Sequence, residues 1–417
     1  MTVAPEFERT TSPASTQPGP LSGVRVLDMT HVLAGPYCTM VLADFGADVV
    51  KVENPQGGDL TRGLEDQHGF SSYFGSVNRN KRSVVLDLKS RGGREVMHRL
   101  MSKADVFVQN MGPGVAEKLE LGPQEMLRRH PSLIYAVVTG YGLDGPWTHK
   151  KGVDPAVQAL SGAMSLTGDP EGQPMRVGFS IADLSGGVFL AIGVLAAMAE
   201  RSRSGKGQIV DVSLIESQMA LLENAIVRGL DTGVAPLRVG GAHALEPLTR
   251  TYRTNDGALV VGLSSRNWAA VCALWERPDW ASDPLLQPPQ EHAVELVPRI
   301  QEIFARQPNG YWIPRLTALN VLCTPILDVR EAVELPPIKE RGFIRETIDS
   351  NGRRLRVAGS PVRLSRTPAS VRSAAPLLGE HSWNALSNWL GMSDEEYARL
   401  AADGVFNTLP RHSPGFW

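Results

Sequence analysis

Val24-Arg-Val-Leu-Asp-Met-Thr-His31-Val-Leu-Ala-Gly35-Pro36 leads through Tyr37–Phe45 into Gly46-Ala-Asp-Val-Val-Lys51-Val-Glu53. Val24–Leu27 and Val49–Val52 are short β-branched runs of the kind buried in parallel sheets, and Tyr37–Phe45 between them reads as a helix. The rhythm continues downstream, with strands expected at Val84–Leu86, Val106–Val108 and Ile134–Val138 and helices at Gly93–Ser102 and Pro123–Arg129. Repeated βαβ units predict an α/β fold with a Rossmann-like, doubly wound sheet. Ligands in such sheets bind beyond the carboxyl ends of the strands, where His31–Gly35, Asn78–Lys81 and Asn110–Gly114 fall. No GxGxxG follows the first strand, which speaks against a dinucleotide enzyme. Pro36 instead fits the first turn of a helix whose free N–H groups face a phosphate or a thioester.

Of the 417 residues, 42% are hydrophobic and 21% charged, which suits a globular enzyme with a large core. The formal net charge of −2 offers no polyelectrolyte surface, so no nucleic-acid partner is expected. Cys38, Cys272 and Cys323 lie far apart with no CxxC pair. That pattern predicts neither a disulfide framework nor a metal site, and fits a reducing cytoplasm. Residues 1–20 lack an apolar segment and read as a disordered tail rather than a secretory signal. The longest apolar run, Gly186–Ala199, falls short of the roughly 20 residues that span a bilayer. It reads as a helix buried on all sides, with no membrane partner.

The organisation expected is a large domain over 21–230, a smaller α+β domain over 231–334 with its linkers, and a C-terminal segment over 335–417. Residues 202–208 form a basic turn before a strand at Ile209–Val212 and a helix from Leu214. Gly- and Pro-rich residues 231–255 lead into the smaller domain. Its elements are a strand at Ala258–Val261 and helices at Trp268–Trp275, Val297–Ala305 and Tyr311–Leu319.

Thr167-Gly168-Asp169-Pro170-Glu171-Gly172-Gln173-Pro174 sets two carboxylates on a turn, ahead of a segment ending in Asp183 and a glycine pair. Glycine supplies backbone angles closed to other residues and proline fixes its own φ. A carboxylate held beside bare N–H groups suits attack on an activated carbonyl. With it come Gly58-Asp59-Leu-Thr-Arg62, Asn78-Arg79-Asn80-Lys81-Arg82-Ser83, Ala104–Gly114, Thr139-Gly-Tyr-Gly142, Gly178–Asp183, Gly359-Ser-Pro361 and Ala375–His381. In this order and spacing, over roughly residues 21–405, the chain resembles the family III CoA-transferases. Formyl-CoA transferase, carnitine CoA-transferase and the α-methylacyl-CoA racemases are members.

The resemblance implies an interlocked homodimer whose large domain takes both chain ends. It implies an acyl-CoA and a carboxylic acid as substrates, with no permanently bound cofactor; coenzyme A enters as a thioester. The family nucleophile is an aspartate three residues after a Thr-Gly pair. A gapless match places Glu171 there, one methylene longer, with Asp169 as its rival. His31 falls where the family contacts the thioester. Leu33 stands where formyl-CoA transferase has a glutamine against the acyl group, which implies a less polar acid, and Ala34 matches the next position. Arg79 and Lys81 match phosphate contacts, and Asn110, Met111 and Gly112 match the loop along CoA. Lys118 replaces an arginine, a point charge in place of a fork. Tyr141 is expected near the acyl group, and Gly240 and Gly241 resemble a shortened glycine lid.

Exchange of one thioester for another needs no ATP; the obstacle is that a solvated carboxylate is a poor nucleophile. A positioned enzyme carboxylate overcomes it by forming a mixed anhydride, then an enzyme thioester, with backbone N–H groups steadying each oxyanion. The racemase alternative requires a His-Asp pair and a second Asp. Here the pair reads Val153-Asp154, so one of two bases is missing while Asp183 remains. A non-catalytic acyl-CoA binder is the other alternative.

Overall fold

A computed structural model of the chain describes residues 18–64 and 71–406. Residues 1–17 of the expected tail and 407–417 of the C-terminal segment lie outside the described residues.

The β-branched runs pair into one six-stranded parallel sheet. In chain order the elements are β1 (Arg25–Met29), α1 (Ala34–Asp44), β2 (Asp48–Glu53), α2 (Ser72–Val77), β3 (Lys81–Val85), α3 (Arg91–Met101), β4 (Val106–Gln109), α4 (Val115–Lys118), α5 (Pro123–Arg129) and β5 (Ile134–Thr139). Then follow α6 (Asp154–Leu160), α7 (Ala163–Leu166), α8 (Ile181–Ser204), β6 (Ile209–Ser213), α9 (Leu214–Ala220) and α10 (Glu223–Thr232). The strand order β3-β2-β1-β4-β5-β6 is that of a doubly wound sheet, with its switch point between β1 and β4.

Successive strand residues face opposite sides, and both sides are buried. Leu27, Val50, Phe107 and Tyr135 pack with α3 on one side, while Val26, Val49, Val106 and Ala136 pack with α1 and α8 on the other. The third strand begins at Lys81, three residues before its expected start. Lys81 and Arg82 stand in parallel register with Val49 and Val50, and their charges are matched by carboxylates.

The long apolar helix departs from expectation twice. α8 runs 24 residues, which by length and composition alone is enough to cross a membrane. Nor is it buried on all sides: it packs on α1, β5, β6 and α9, while Val188 and Ile192 face outward.

The chain forms two compact units. One comprises the residues up to Ser161, Gly178–Glu223 and Pro336 onward; the other comprises Gly162–Val177 and Asn224–Leu335. The Gly162–Val177 stretch, expected within 21–230, therefore clusters with the second unit. That unit holds an antiparallel sheet of β7 (Arg250–Arg253), β8 (Ala258–Val261) and β9 (Cys323–Pro325). Around it lie α11 (Trp268–Leu274), α12 (Pro278–Ser282), α13 (Ala293–Phe304), α14 (Asn309–Ala318) and α15 (Val329–Ala332). Its core is aromatic: Trp268, Trp275, Trp280 and Trp312 are buried, and Tyr252 stacks on Phe304 at 4.9 Å.

After α16 (Pro336–Glu340), the chain makes a hairpin of β10 (Ile344–Ile348) and β11 (Arg354–Ala358), then α17 (Ser382–Leu390) and α18 (Asp394–Ala402). Ala385, Leu386 and Trp389 of α17 join the core that covers one side of the parallel sheet.

Candidate active site

At the switch point, residues 30–32 leave β1 with every backbone polar group except the Val32 carbonyl held by a side chain. Asp28 accepts the Thr30 N–H at 2.9 Å, and Lys51 Nζ donates to the Thr30 carbonyl at 2.6 Å. Asn110, just past β4, accepts the His31 N–H through Oδ1 and donates to the His31 carbonyl through Nδ2, both at 2.8 Å. Asp59 Oδ1 accepts the Val32 N–H at 3.2 Å. Val32 adopts φ 67°, a left-handed conformation that a β-branched residue reaches at a cost of about 1–3 kcal/mol. Such strain persists only where surroundings over-determine it, and here four side chains do.

The floor beneath this loop is ionic and dry. Lys51 pairs with Asp59 at 3.0 Å and Lys81 with Asp28 at 3.0 Å, all four side chains fully buried. Burial alone would raise the Asp28 carboxyl. The Lys81 and Lys51 charges, with the hydroxyls of Thr30 and Thr39, outweigh it and bring the pKa to about 2. Burial likewise opposes the ionised Asp59, yet Lys51 holds it well below the usual carboxylate range. For Lys81 burial wins over Asp28, and the ammonium drops to about 8. His31 is lowered by burial despite the pull of Asp59, which favours the neutral imidazole.

Several expected contacts resolve differently. Lys81 also donates to the Pro36 carbonyl and to Asn78 Oδ1, and Arg79 makes a bidentate pair with Asp44 at 3.0 and 2.6 Å. Both cations are buried and internally matched, so neither is presented to a phosphate. Leu33, expected against the acyl group, is 8% exposed and packs with Met40 and Val77; Val32, Tyr37, Tyr73 and Leu184 are the partly exposed members of that cluster. Ala34 is buried at the start of α1.

Met111 and Gly112 continue from Asn110 at the carboxyl end of β4, and Lys118 is exposed at the end of α4. Tyr141 lies just past β5, edge-on to Trp147 at 5.2 Å. Lys51 and Asp59 are residues that sequence reasoning passed over. A lysine inside the run Val49–Val52 was the available signal, because a charge in a buried strand must find a partner.

Asp154 caps α8. Its Oδ1 accepts the Ala182 N–H at 2.9 Å, and Gln158 Nε2 donates to its Oδ2 at 2.7 Å. Asp183, in the first turn of α8, is raised to about 7 by burial and by the Asp154 charge. Tyr73, hydrogen-bonded to Ser180, is raised by burial and by Asp183.

In the second unit, Asp169–Gly172 is a β-turn with Pro170 at its second position, closed by the Gly172 N–H on the Asp169 carbonyl at 3.0 Å. Gly168 precedes it at φ 119°, and Met175 N–H returns to the Thr167 carbonyl at 3.0 Å. The Asp169 carboxylate bends back to accept the Glu171 N–H at 3.0 Å. Glu171 is exposed, and its carboxylate has no hydrogen bond or ion pair among the described residues. Gly240 lies at φ 61° beside Pro170: a Cβ there would come within 3.2 Å of the proline Cδ. Gly240 thus sits against this turn, while Gly241 sits against Thr251 of β7. Among the described residues no His, Cys, Asp and Glu group is arranged to hold a metal ion.

The sequence profile of CoA-transferase family III matches residues 21–382. An acetyl-CoA:oxalate CoA-transferase of Acetobacter aceti is 36% identical over 377 residues, covering 89% of this chain and 95% of the relative. A succinyl-CoA:glutarate CoA-transferase of Mus musculus is 33% identical, covering 93% and 90%. A crystal structure of a CAIB/BAIF family protein from Brucella suis superposes with a TM-score of 0.83 at 30% identity, covering 89% of this chain and all of that one.

Proposed function

The chain belongs to CoA-transferase family III and moves CoA between an acyl-CoA and a carboxylic acid, and on that premise we propose that Glu171 is its nucleophile. The supporting observation is the division of labour on the turn. Asp169 shapes it by capping the Glu171 N–H, whereas the Glu171 carboxylate stands unengaged at its tip. In this mechanism Glu171 attacks the donor thioester carbonyl, forming a mixed anhydride and releasing CoA thiolate. The thiolate attacks the glutamyl carbonyl, giving an enzyme thioester and freeing the donor acid. The acceptor carboxylate then displaces the thiolate, which finally takes the acceptor acyl group and regenerates Glu171.

Relatives are named for oxalate, glutarate and mesaconate as acids. Glutarate is the acceptor and succinyl-CoA the donor to try first, the pair for which the Mus musculus relative is named. A homodimer is part of this reading. α10 buries none of its residues within the chain, and Leu230 on it is 81% exposed, as expected of a surface covered by a second copy. Three buried free cysteines support a reducing cytoplasm.

The test is to incubate the protein with a panel of acyl-CoAs, reduce with borohydride and map modified peptides by mass spectrometry. A reduced carboxyl at Glu171 is expected; one at Asp169 would reverse the assignment. The racemase reading is weakened by Asp154, whose carboxylate is occupied in capping α8.

A further inference from the structure

Arg238 precedes Gly240 by two residues and is half-buried, with no acidic partner among the described residues. Its guanidinium is directed at the turn that carries Glu171. Nε donates to the Asp169 carbonyl at 3.2 Å and Nη2 to the Gly172 carbonyl at 3.0 Å, with Nη1 3.5 Å from the Ser165 carbonyl. The first two acceptors are the opening and closing residues of the β-turn, so one planar fork spans it from end to end.

The turn does not need this fork to close, because Gly172 N–H and the Asp169 carboxylate already do that. What the fork fixes is the attitude of the turn on its own unit. The strap bearing Arg238 is tied to the antiparallel sheet: Thr251 N–H donates to the Gly241 carbonyl at 3.0 Å, and Ala242 bridges to Arg250. At Gly241 a Cβ would fall 2.7 Å from Thr251 Oγ1, and at Gly240 it would press on Pro170. Glycine at both places lets the strap lie flat between the sheet and the turn.

We propose that Arg238 is a positioning residue for acyl transfer, locking the Glu171-bearing turn to the strap and through it to β7. This rests on Glu171 as nucleophile. Reactions that depend on placement lose about 100-fold for displacements near 1 Å. An arginine serves here because two separated carbonyls need a rigid fork, which a lysine ammonium does not supply.

The test compares wild type with Arg238→Ala and Arg238→Lys. It reads steady-state kcat and KM for succinyl-CoA, the single-turnover rate of adduct formation at Glu171, and the melting temperature. Arg238→Ala is expected to melt within a few degrees of wild type and keep its donor KM, while kcat and adduct formation fall about 100-fold. Millimolar guanidinium should restore part of that loss, and Arg238→Lys should restore little. Wild-type kcat in Arg238→Ala, or a loss confined to KM, would overturn the proposal. Turnover by wild type with no adduct at Glu171 would instead sink the nucleophile assignment, and Arg238 would still be judged on kcat.

Discussion

Asp154 and Asp183 lie close together at the head of α8, and their surroundings separate their behaviour. Asp154 accepts backbone and Gln158 hydrogens, whereas Asp183 has burial and a neighbouring negative charge against it, which puts its carboxyl at about 7. Its unfolded value is 3.8, so the folded state holds this proton more tightly. The stabilisation is fully present below pH 3.8 and is lost as pH rises through 7. Asp183→Asn, which cannot ionise, is therefore expected to raise the melting temperature at pH 8.5 while leaving it nearly unchanged at low pH. Calorimetry across that range checks it; an equal shift at both ends would show that Asp183 does not carry the effect. The residue scale was also where reading the sequence was least complete. Asn110 was visible as a residue beside a ligand loop, but its grip on His31, 79 positions away, was not. Nor could Arg79 and Lys81 be recognised as internal cations, since Asp44 on α1 and Asp28 on β1 meet them only in the folded chain.

Helix packing here turns on where glycines lie. On α8, a Cβ at Gly187 would come within 2.5 Å of the Ala34 carbonyl, which is backbone at the start of α1. The neighbouring Gly186 would meet side chains alone, the Leu214 Cδ2 tip at 2.5 Å and Val138 Cγ2 at an ordinary 3.4 Å. Gly187→Ala must push α1 and the loop ahead of it, at about 1–3 kcal/mol. Gly186→Ala asks only for a side-chain adjustment. Urea unfolding with kcat measured beside it should show Gly187→Ala losing both stability and turnover, and Gly186→Ala losing little of either. Matching losses would refute the close approach as the cause. Elements of this kind were largely legible, because β-branched runs and the Gly/Pro breaks between them announce buried strands without any partner. Their ends were less so: α1 starts at Ala34 and β3 at Lys81, both earlier than their apolar cores suggest. Charged or small residues at those ends are made regular by tertiary contacts that a local pattern does not carry.

Over the whole chain, the loop after β1 and the turn carboxylate belong to different units, and the second unit is written in two separate stretches. If α10 is covered by a second copy, sedimentation should give twice the 45.2 kDa of one chain, and Leu230→Asp should shift the protein toward the single-chain mass. A wild-type mass of one chain would end the dimer reading. The division of the molecule was only partly readable, since a 16-residue excursion such as Gly162–Val177 has no compositional edge. The late docking of Ala385, Leu386 and Trp389 onto the parallel sheet also governs the order of events at the ribosome. All six parallel strands have emerged by Ser213, yet one side of that sheet stays without its α17 cover until after the second unit has been translated. The later-encoded unit can therefore complete its core before the earlier one, whose sheet still lacks α17 over its apolar side. A nascent chain stalled between α16 and α17 would carry every residue implicated in chemistry and still be a target for quality control.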